Sequence, residues 1–417
     1  WKTMSLRKVY LAKRVANEAV DGWLDDHAVI IDQDRIESVL PGSHLPRDIA
    51  ENAEVHNLGD VSLLPGLIDA HCHMHCSATA NALQHAMTDT DQQLTMRAVT
   101  AMRRALLAGT TTIRDIGSRN DVAFPVREAI KSGTIPGPRL LVSGQPITIT
   151  AGHCWFFSSQ ADTTEGVVKA VRTQVRLGAD LIKVMATGGM FTPTANPARP
   201  QYSTETLREA VEEAERVGIP IVAHTLAAEG VQRCVEAGVH HHIHARWRAR
   251  DPDPSLDYRP DVVARLVDLG HWVDPTIGHI YRGTLASHQS AGRSGSAASA
   301  STDGHLELLR RMDEAGVRFT SGLDMGMPHA PHDGTAANAW AFVDWMGWSP
   351  WRALRTLTRA TSEAIGLGDT VGQIKPGLVA DLAAFDGDPA ADIRQLDIAS
   401  SVVQAGDLVK HNQQTLV

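Results

Sequence analysis

The feature that most constrains this 417-residue chain is a pattern repeated from about Pro65 to Leu367, in which amphipathic stretches alternate with short apolar runs ending in a polar group. Examples are Leu181-Ile182-Lys183, Ile219 to His224, Val239 to His244 and Val317 to Asp324. Each run has the length of a buried parallel strand, and the intervening stretches, such as Gln93 to Leu107 and Thr204 to Val217, have the length of crossover helices. Strand and helix alternating over this distance require a parallel sheet. Eight candidate strands end near His73, Asp115, Ser143, Lys183, His224, His244, Thr276 and Asp324, the number of a barrel. The expected fold class is α/β, a (β/α)8 TIM-like barrel over residues 65–367, whose strand ends converge on one mouth.

The two chain ends have a different texture. From Lys8 to Asp60, short apolar runs are punctuated by Gly, Asp and Pro, and β character returns at Ala380 to Phe385 and Ser401 to Val403, after a last helix expected to start at Ser349-Pro350. Residues 1–64 and 368–417 are therefore expected to build one composite β-sandwich domain. The stretch Gly283 to Gly304, rich in Ser, Ala and Gly, follows the seventh strand candidate and reads as a mobile lid or as a plain flexible insertion.

The net charge of −9 argues against nucleic acid, because a phosphate backbone selects basic faces. No stretch approaches the roughly 20 apolar residues of a membrane span. Four cysteines without a CxxC pair, and no apolar segment behind Trp1-Lys2-Thr3-Met4, fit a cytoplasmic protein. The expected partners are a small-molecule substrate and further copies of the chain in a homo-oligomer.

The chemistry starts at Leu63 to His73. Alternate strand residues share a face, so His71 and His73 point one way and Cys72 the other, making half a metal site. A lone His-x-His is also an ordinary surface feature in a chain with 20 histidines; the later runs, ending in Lys183, His224, His244 and Asp324, give it weight.

The segments LLPGLIDAHCHMH at 63–75, AGTTTIRDIG at 108–117, LIKVMATGG at 181–189, IVAHTLAAEGVQRCVEAGV at 221–239 and GQIKPGLVADLAAFDGDP at 372–389 resemble the amidohydrolase superfamily, in the branch of imidazolonepropionase-like enzymes and Xaa-Pro dipeptidases. The resemblance implies two divalent metal ions: His71, His73 and Asp324 on one, His224 and His244 on the other, and Lys183, carboxylated by CO2, bridging both. Imidazole and carboxylate donors suit Zn2+ best and leave Co2+, Mn2+ or Fe2+ open. It further implies a metal-bridging hydroxide as nucleophile, with Asp324 as general base and then acid. His153, in a Gly-His pair after the third strand, would bind substrate in the catalytic site. Tyr202 and Arg199 are further candidate contacts, the latter through bidentate pairing with a carboxylate.

The chain departs from the family pattern at Ile243, Ala245 and Leu323 beside the ligands and at Trp155 near His153. Ile243 and Leu323 are expected to face the barrel wall. Ala245, the His153–Trp155 loop and the segment bearing Trp340, Trp345, Trp348 and Trp351 are expected to form an apolar rim. His242, sharing a strand face with His244, is an alternative ligand. This reading gives a hydrolase of a C–N bond in a hydrophobic amide, carbamate or urea. The alternatives are an Xaa-Pro or other dipeptidase, a carboxypeptidase, a cyclic-amide hydrolase, or a non-catalytic barrel that only binds a ligand.

Overall fold

The computed structural model describes residues 7–250, 253, 255–291 and 300–417. The repeated apolar runs form eight parallel strands: β1 (Leu67–Cys72), β2 (Thr110–Asp115), β3 (Arg139–Val142), β4 (Ile182–Met185), β5 (Ile221–Ala227), β6 (His241–Arg248), β7 (Trp272–Asp274) and β8 (Arg318–Phe319). They lie in two hydrogen-bonded sheets, β1 to β3 and β4 to β8, the second extended at its β4 edge by Ile147–Thr148 and Ser159–Gln160. On one side the sheets are joined where Ala70 N donates to Ser321 O (2.8 Å) and Met325 N donates to His71 O (3.0 Å). On the other, Asp180 links β3 to β4: its N–H donates to Val142 O and its carboxylate accepts from Val142 N. No ladder joins β3 to β4, so backbone hydrogen bonds do not close the ring.

Sequence periodicity decides which faces are covered. Ile113 and Val142 pack on Leu94, Ala98 and Met102 of α1 (Asp91–Leu107). Val184 and Ala223 pack on Val167 and Val171 of α2 (Thr164–Leu177) and on Leu207 and Ala210 of α3 (Thr204–Glu215). Side chains satisfy the first free N–H groups of these helices: Thr90 and Gln93 form a reciprocal capping box, Thr163 accepts from Gly166 and Ser203 from Thr206. The last helix begins at Pro350, capped by Ser349, as the sequence predicts.

The chain ends do meet, in a nine-stranded hydrogen-bonded sheet. Within it, Val61–Pro65 pairs antiparallel with Leu382–Asp386 and parallel with Lys8–Ala16. This strand passes into β1 through Gly66, where a Cβ would lie 2.0 Å from Thr111 Oγ1, a contact only glycine avoids. The stretch 283–304 is helical at both ends: α4 (Ile277–Ser290) runs into it and α5 (Ala300–Glu314) starts within it, while residues 292–299 lie outside the described residues.

Candidate active site

His71 and His73 lie at the C-terminal end of β1 on its inner face. Asp69 braces the backbone beneath them, accepting from His71 N at 3.0 Å and from Leu323 N at 3.2 Å, so one buried carboxylate ties the first strand to the segment after the last. Burial pushes the Asp69 carboxyl up to about 7, against these bonds. Asp324 follows with φ 64, a left-handed backbone in which a non-glycine residue is strained. Its Oδ1 lies 3.2 Å from His71 Nε2 and 3.4 Å from His73 Nε2. One ligand atom from each of the three falls within 4.8 Å of the others, a spacing that admits a metal ion. Burial opposes ionisation of Asp324, yet His71 and His73 hold it well below the usual carboxylate range.

His224, on β5, faces His244 with ring centroids 4.7 Å apart, and His71 stands 5.3 Å from His244. His224 Nε2 lies 3.2 Å from the Gly188 carbonyl and His244 Nδ1 2.8 Å from Thr276 Oγ1. Burial lowers both imidazoles well below their ordinary pKa, leaving the neutral form that donates a lone pair. Lys183 is fully buried on β4 and has no hydrogen-bond or ion-pair partner among the described residues. Desolvation pulls its ammonium down to about 7. His153 lies against His224, ring centroids 4.4 Å apart and planes tilted by 35°, and is lowered to about 3 by burial; a Cβ on Gly189 would come within 2.3 Å of its ring. These seven residues line one cavity of about 680 Å3, together with apolar Met185, Met190, Phe191, Leu226 and Met327.

The register of β6 departs from simple alternation. Ile243 does not face the wall: it meets Ile116, Leu181 and Val222 from β4, β5 and the end of β2 inside the ring. His242 points away, its Nε2 3.2 Å from His271 Nδ1, and is not part of the metal cluster. His244 reaches the mouth because φ is 72 there and 44 at Ala245, which breaks the two-residue period. Leu323 does lie outside the ring, with Cys72, Met74 and Ile113.

Other candidates fall elsewhere. The Tyr202 hydroxyl donates to Ala161 O at 2.9 Å inside the core between α2 and α3, so the ring packs and does not line the cavity. Arg199 offers its carbonyl to Gly188 N at 3.1 Å and is absent from the cavity lining. The tryptophans do not form the rim: Trp345 and Trp348 are buried in the main core, Trp340 donates to Leu396 O, and Trp351 packs on Trp23. Trp155 turns outward while its neighbour Cys154 faces the cavity.

Sequence reasoning passed over several groups. Asp274 ends β7 with Oδ2 3.4 Å from His71 Nδ1; the run Trp272-Val273-Asp274 carried that signal two residues before Thr276. Arg114 spans the ring interior, donating to Ala70 O (2.9 Å) and His241 Nδ1 (3.1 Å). Arg246 and Arg248 line the cavity, and their alternation with buried Ala245 and Trp247 was readable in the sequence.

Residues 62–408 match the amidohydrolase family, and residues 20–53 match the NagA composite domain. Ochratoxinase of Aspergillus niger is 28% identical over 363 residues, covering 80% of this chain and 72% of that one. Its crystal structure superposes with a TM-score of 0.83 at 25% identity, covering 97% of this chain and 96% of that one. A prolidase complexed with N-methylphosphonate-L-proline gives 0.81 at 27% identity, with 97% and 100% covered. A Xaa-Pro dipeptidase with bound methionine, 23% identical with TM-score 0.83 and 97% and 100% coverage, shares the fold. The chain belongs to the amidohydrolase family. It is a hydrolase acting on amide bonds, in a family that generally binds divalent metals, and among the described residues no helix is long and apolar enough to cross a membrane.

Proposed function

We propose that this chain hydrolyses the C–N bond of a hydrophobic amide, carbamate or urea with two divalent metal ions, Zn2+ being the best suited, in a catalytic unit of residues 65–367 supported by 1–64 and 368–417. The observation that carries this reading is the convergence of His71, His73, Lys183, His224, His244 and Asp324 on a single cavity. The donor chemistry fits. His71, His73 and Asp324 offer two imidazoles and a carboxylate within reach of one ion, and His224 and His244 are neutral at working pH.

Lys183 at about 7 presents a free amine near neutral pH. The neutral amine nitrogen bonds to the carbon of CO2 and releases one proton, turning the buried amine into a carbamate with two oxygen donors. Divalent cations held by these donors would supply Lewis-acid polarisation of the scissile carbonyl and would depress the pKa of water from about 15.7 to roughly 7. Asp324 accepts the proton from the attacking water and returns it to the leaving nitrogen. His153, packed against His224, orients the substrate carbonyl, and the lining of Met185, Phe191, Leu226 and Met327 excludes water and rewards apolar groups.

The test is metal analysis of protein purified without added metal, joined to a panel of N-acyl amino acids, dipeptides, carbamates and phenylureas. The reading expects near two equivalents and turnover of an apolar member of the panel. Near zero metal, with no activity restored by zinc or manganese, makes the chain a ligand-binding barrel. Faster turnover of Ala-Pro or Met-Pro than of every hydrophobic amide, carbamate and urea makes it an ordinary dipeptidase.

A further inference from the structure

We infer that the turn ending β7, Asp274-Pro275-Thr276, positions one histidine at each of the two metal positions: Thr276 fixes the tautomer and aim of His244, and Asp274 holds both Thr276 and His71. The inference rests on the two-metal reading above and assigns it a support that lies outside the cavity.

β7 contributes no member of the metal-competent cluster, yet its end reaches both halves of it. His244 Nδ1 lies 2.8 Å from Thr276 Oγ1, and that hydroxyl donates its own proton to Pro275 O at 2.8 Å. A hydroxyl has one proton and a carbonyl can only accept, so Thr276 is left to accept from His244 Nδ1–H. The lone pair of the neutral imidazole then sits on Nε2, the nitrogen free for a metal. His244 needs this support because its own backbone and that of Ala245 leave strand geometry, with φ 72 and 44.

Asp274 joins the other half. Its Oδ1 accepts from Thr276 N at 3.1 Å across Pro275, and its Oδ2 faces His71 Nδ1 at 3.4 Å. Oδ2 and Nδ1 are both buried without a hydrogen-bond partner among the described residues, so the two unmatched atoms answer each other at ion-pair distance. The turn is also closely held. Thr276 is β-branched with φ 49, a strained backbone, and only glycine at 322 leaves room for Oδ2, since a Cβ there would lie 1.9 Å away. Asp274 and Thr276 are fully buried and neither lines the cavity, so they act behind the imidazoles rather than on substrate. A partner on the second ring nitrogen of a ligating histidine sets metal affinity by about 10–100-fold.

The two residues differ in reach. Thr276 serves His244 alone, whereas the Asp274 carboxylate serves two donors at once, which an amide cannot do because one of its two atoms is itself a donor.

The test titrates the Co2+-loaded protein with citrate and follows retained cobalt and its visible absorbance, so turnover is not needed. The parent should hold near two equivalents. Thr276→Val keeps the β-branched shape and removes the acceptor; it should surrender one equivalent at about 10–100-fold less citrate and keep the other as the parent does. Thr276→Ser, which retains the hydroxyl, should hold both. Asp274→Asn should weaken both, with circular dichroism confirming the fold; should it fail to fold, the valine and serine variants decide the matter alone. If Thr276→Val holds both equivalents as the parent does, the turn has no positioning role and the two-metal reading stands. If Thr276→Ser is as weak as Thr276→Val, the loss belongs to backbone shape and the inference is equally overturned. A parent that retains no cobalt overturns the two-metal reading and the inference with it.

Discussion

Asp324 and His71 meet across the junction of the first and last strand segments of the ring, with Oδ1 and Nε2 3.2 Å apart. The same junction is held by the backbone bond from Met325 N to His71 O and by Asp69 bridging His71 N and Leu323 N. The carboxylate proposed to handle protons is thereby held beside His71 by the backbone of its own neighbours.

Asp324→Asn should therefore fold with unchanged secondary structure and lose on the order of 10²-fold or more in kcat, because the amide keeps the shape but cannot carry a proton. Rate, metal content and thermal midpoint are measured together. Full activity in this variant would move proton transfer to His153.

Lys183→Ala should lose activity and part of the bound metal, and short-chain carboxylates should restore part of both by replacing the carbamate oxygens. Metal content and rate, titrated against acetate and propionate, check this. A variant with full metal and full rate would remove the carbamate from the scheme.

Gly322→Ala tests the packing under the site. A Cβ there would sit 1.9 Å from Asp274 Oδ2 and 2.7 Å from His71 Cβ, both on side chains with nowhere to retreat. Overpacking of this kind costs about 1–3 kcal/mol, read as a lower urea midpoint, and should weaken metal retention by displacing His71. Unaltered midpoint and metal content would show that the floor yields.

Tyr202→Phe separates packing from substrate contact. It removes the hydroxyl bonded to Ala161 O, so stability should fall by about 1 kcal/mol while kcat/KM holds. A change in KM without a change in stability would return Tyr202 to the substrate.

Glu213→Gln probes pH. Hydrogen bonds from Arg172 at 2.9 Å and Arg216 at 2.6 Å hold the carboxyl down to about 2, against an ordinary value of 4.5. A depressed folded pKa gives stability that is present above 4.5 and fades as pH falls toward 2. The variant should melt below the parent at pH 7, with the gap narrowing through that window. Both arginines are exposed, so solvent screening keeps the gap small. An equal gap at pH 7 and pH 3 would assign the loss to packing.

The strand order and the metal-competent residues were legible because each strand carries its functional group at the C-terminal end of an apolar run, a local signal. Gln93 to Leu107 and Thr204 to Val217 likewise announced helices through periodicity and caps. What stayed hidden depended on backbone conformation or distant partners. Nothing in Ile243-His244-Ala245 reveals the positive φ angles that turn His244 toward the mouth. Tyr202 beside a helix start gives no hint that its hydroxyl is claimed by Ala161. The nine-stranded pairing of the two chain ends follows from long-range partners such as Ala383 with Leu64. The tryptophans looked like a rim because composition records apolarity without direction.

The passage of Val61–Pro65 through Gly66 into β1 has a consequence for the order of assembly. The strand that delivers His71 and His73 is gripped on one side by Leu382–Asp386, which leaves the ribosome only after the whole ring has been made. A nascent chain thus holds its first two metal-competent histidines long before it can fix them. A pulse-labelled chain halted before Leu382 should accordingly leave β1 open to protease, and extension past Asp386 should seal it.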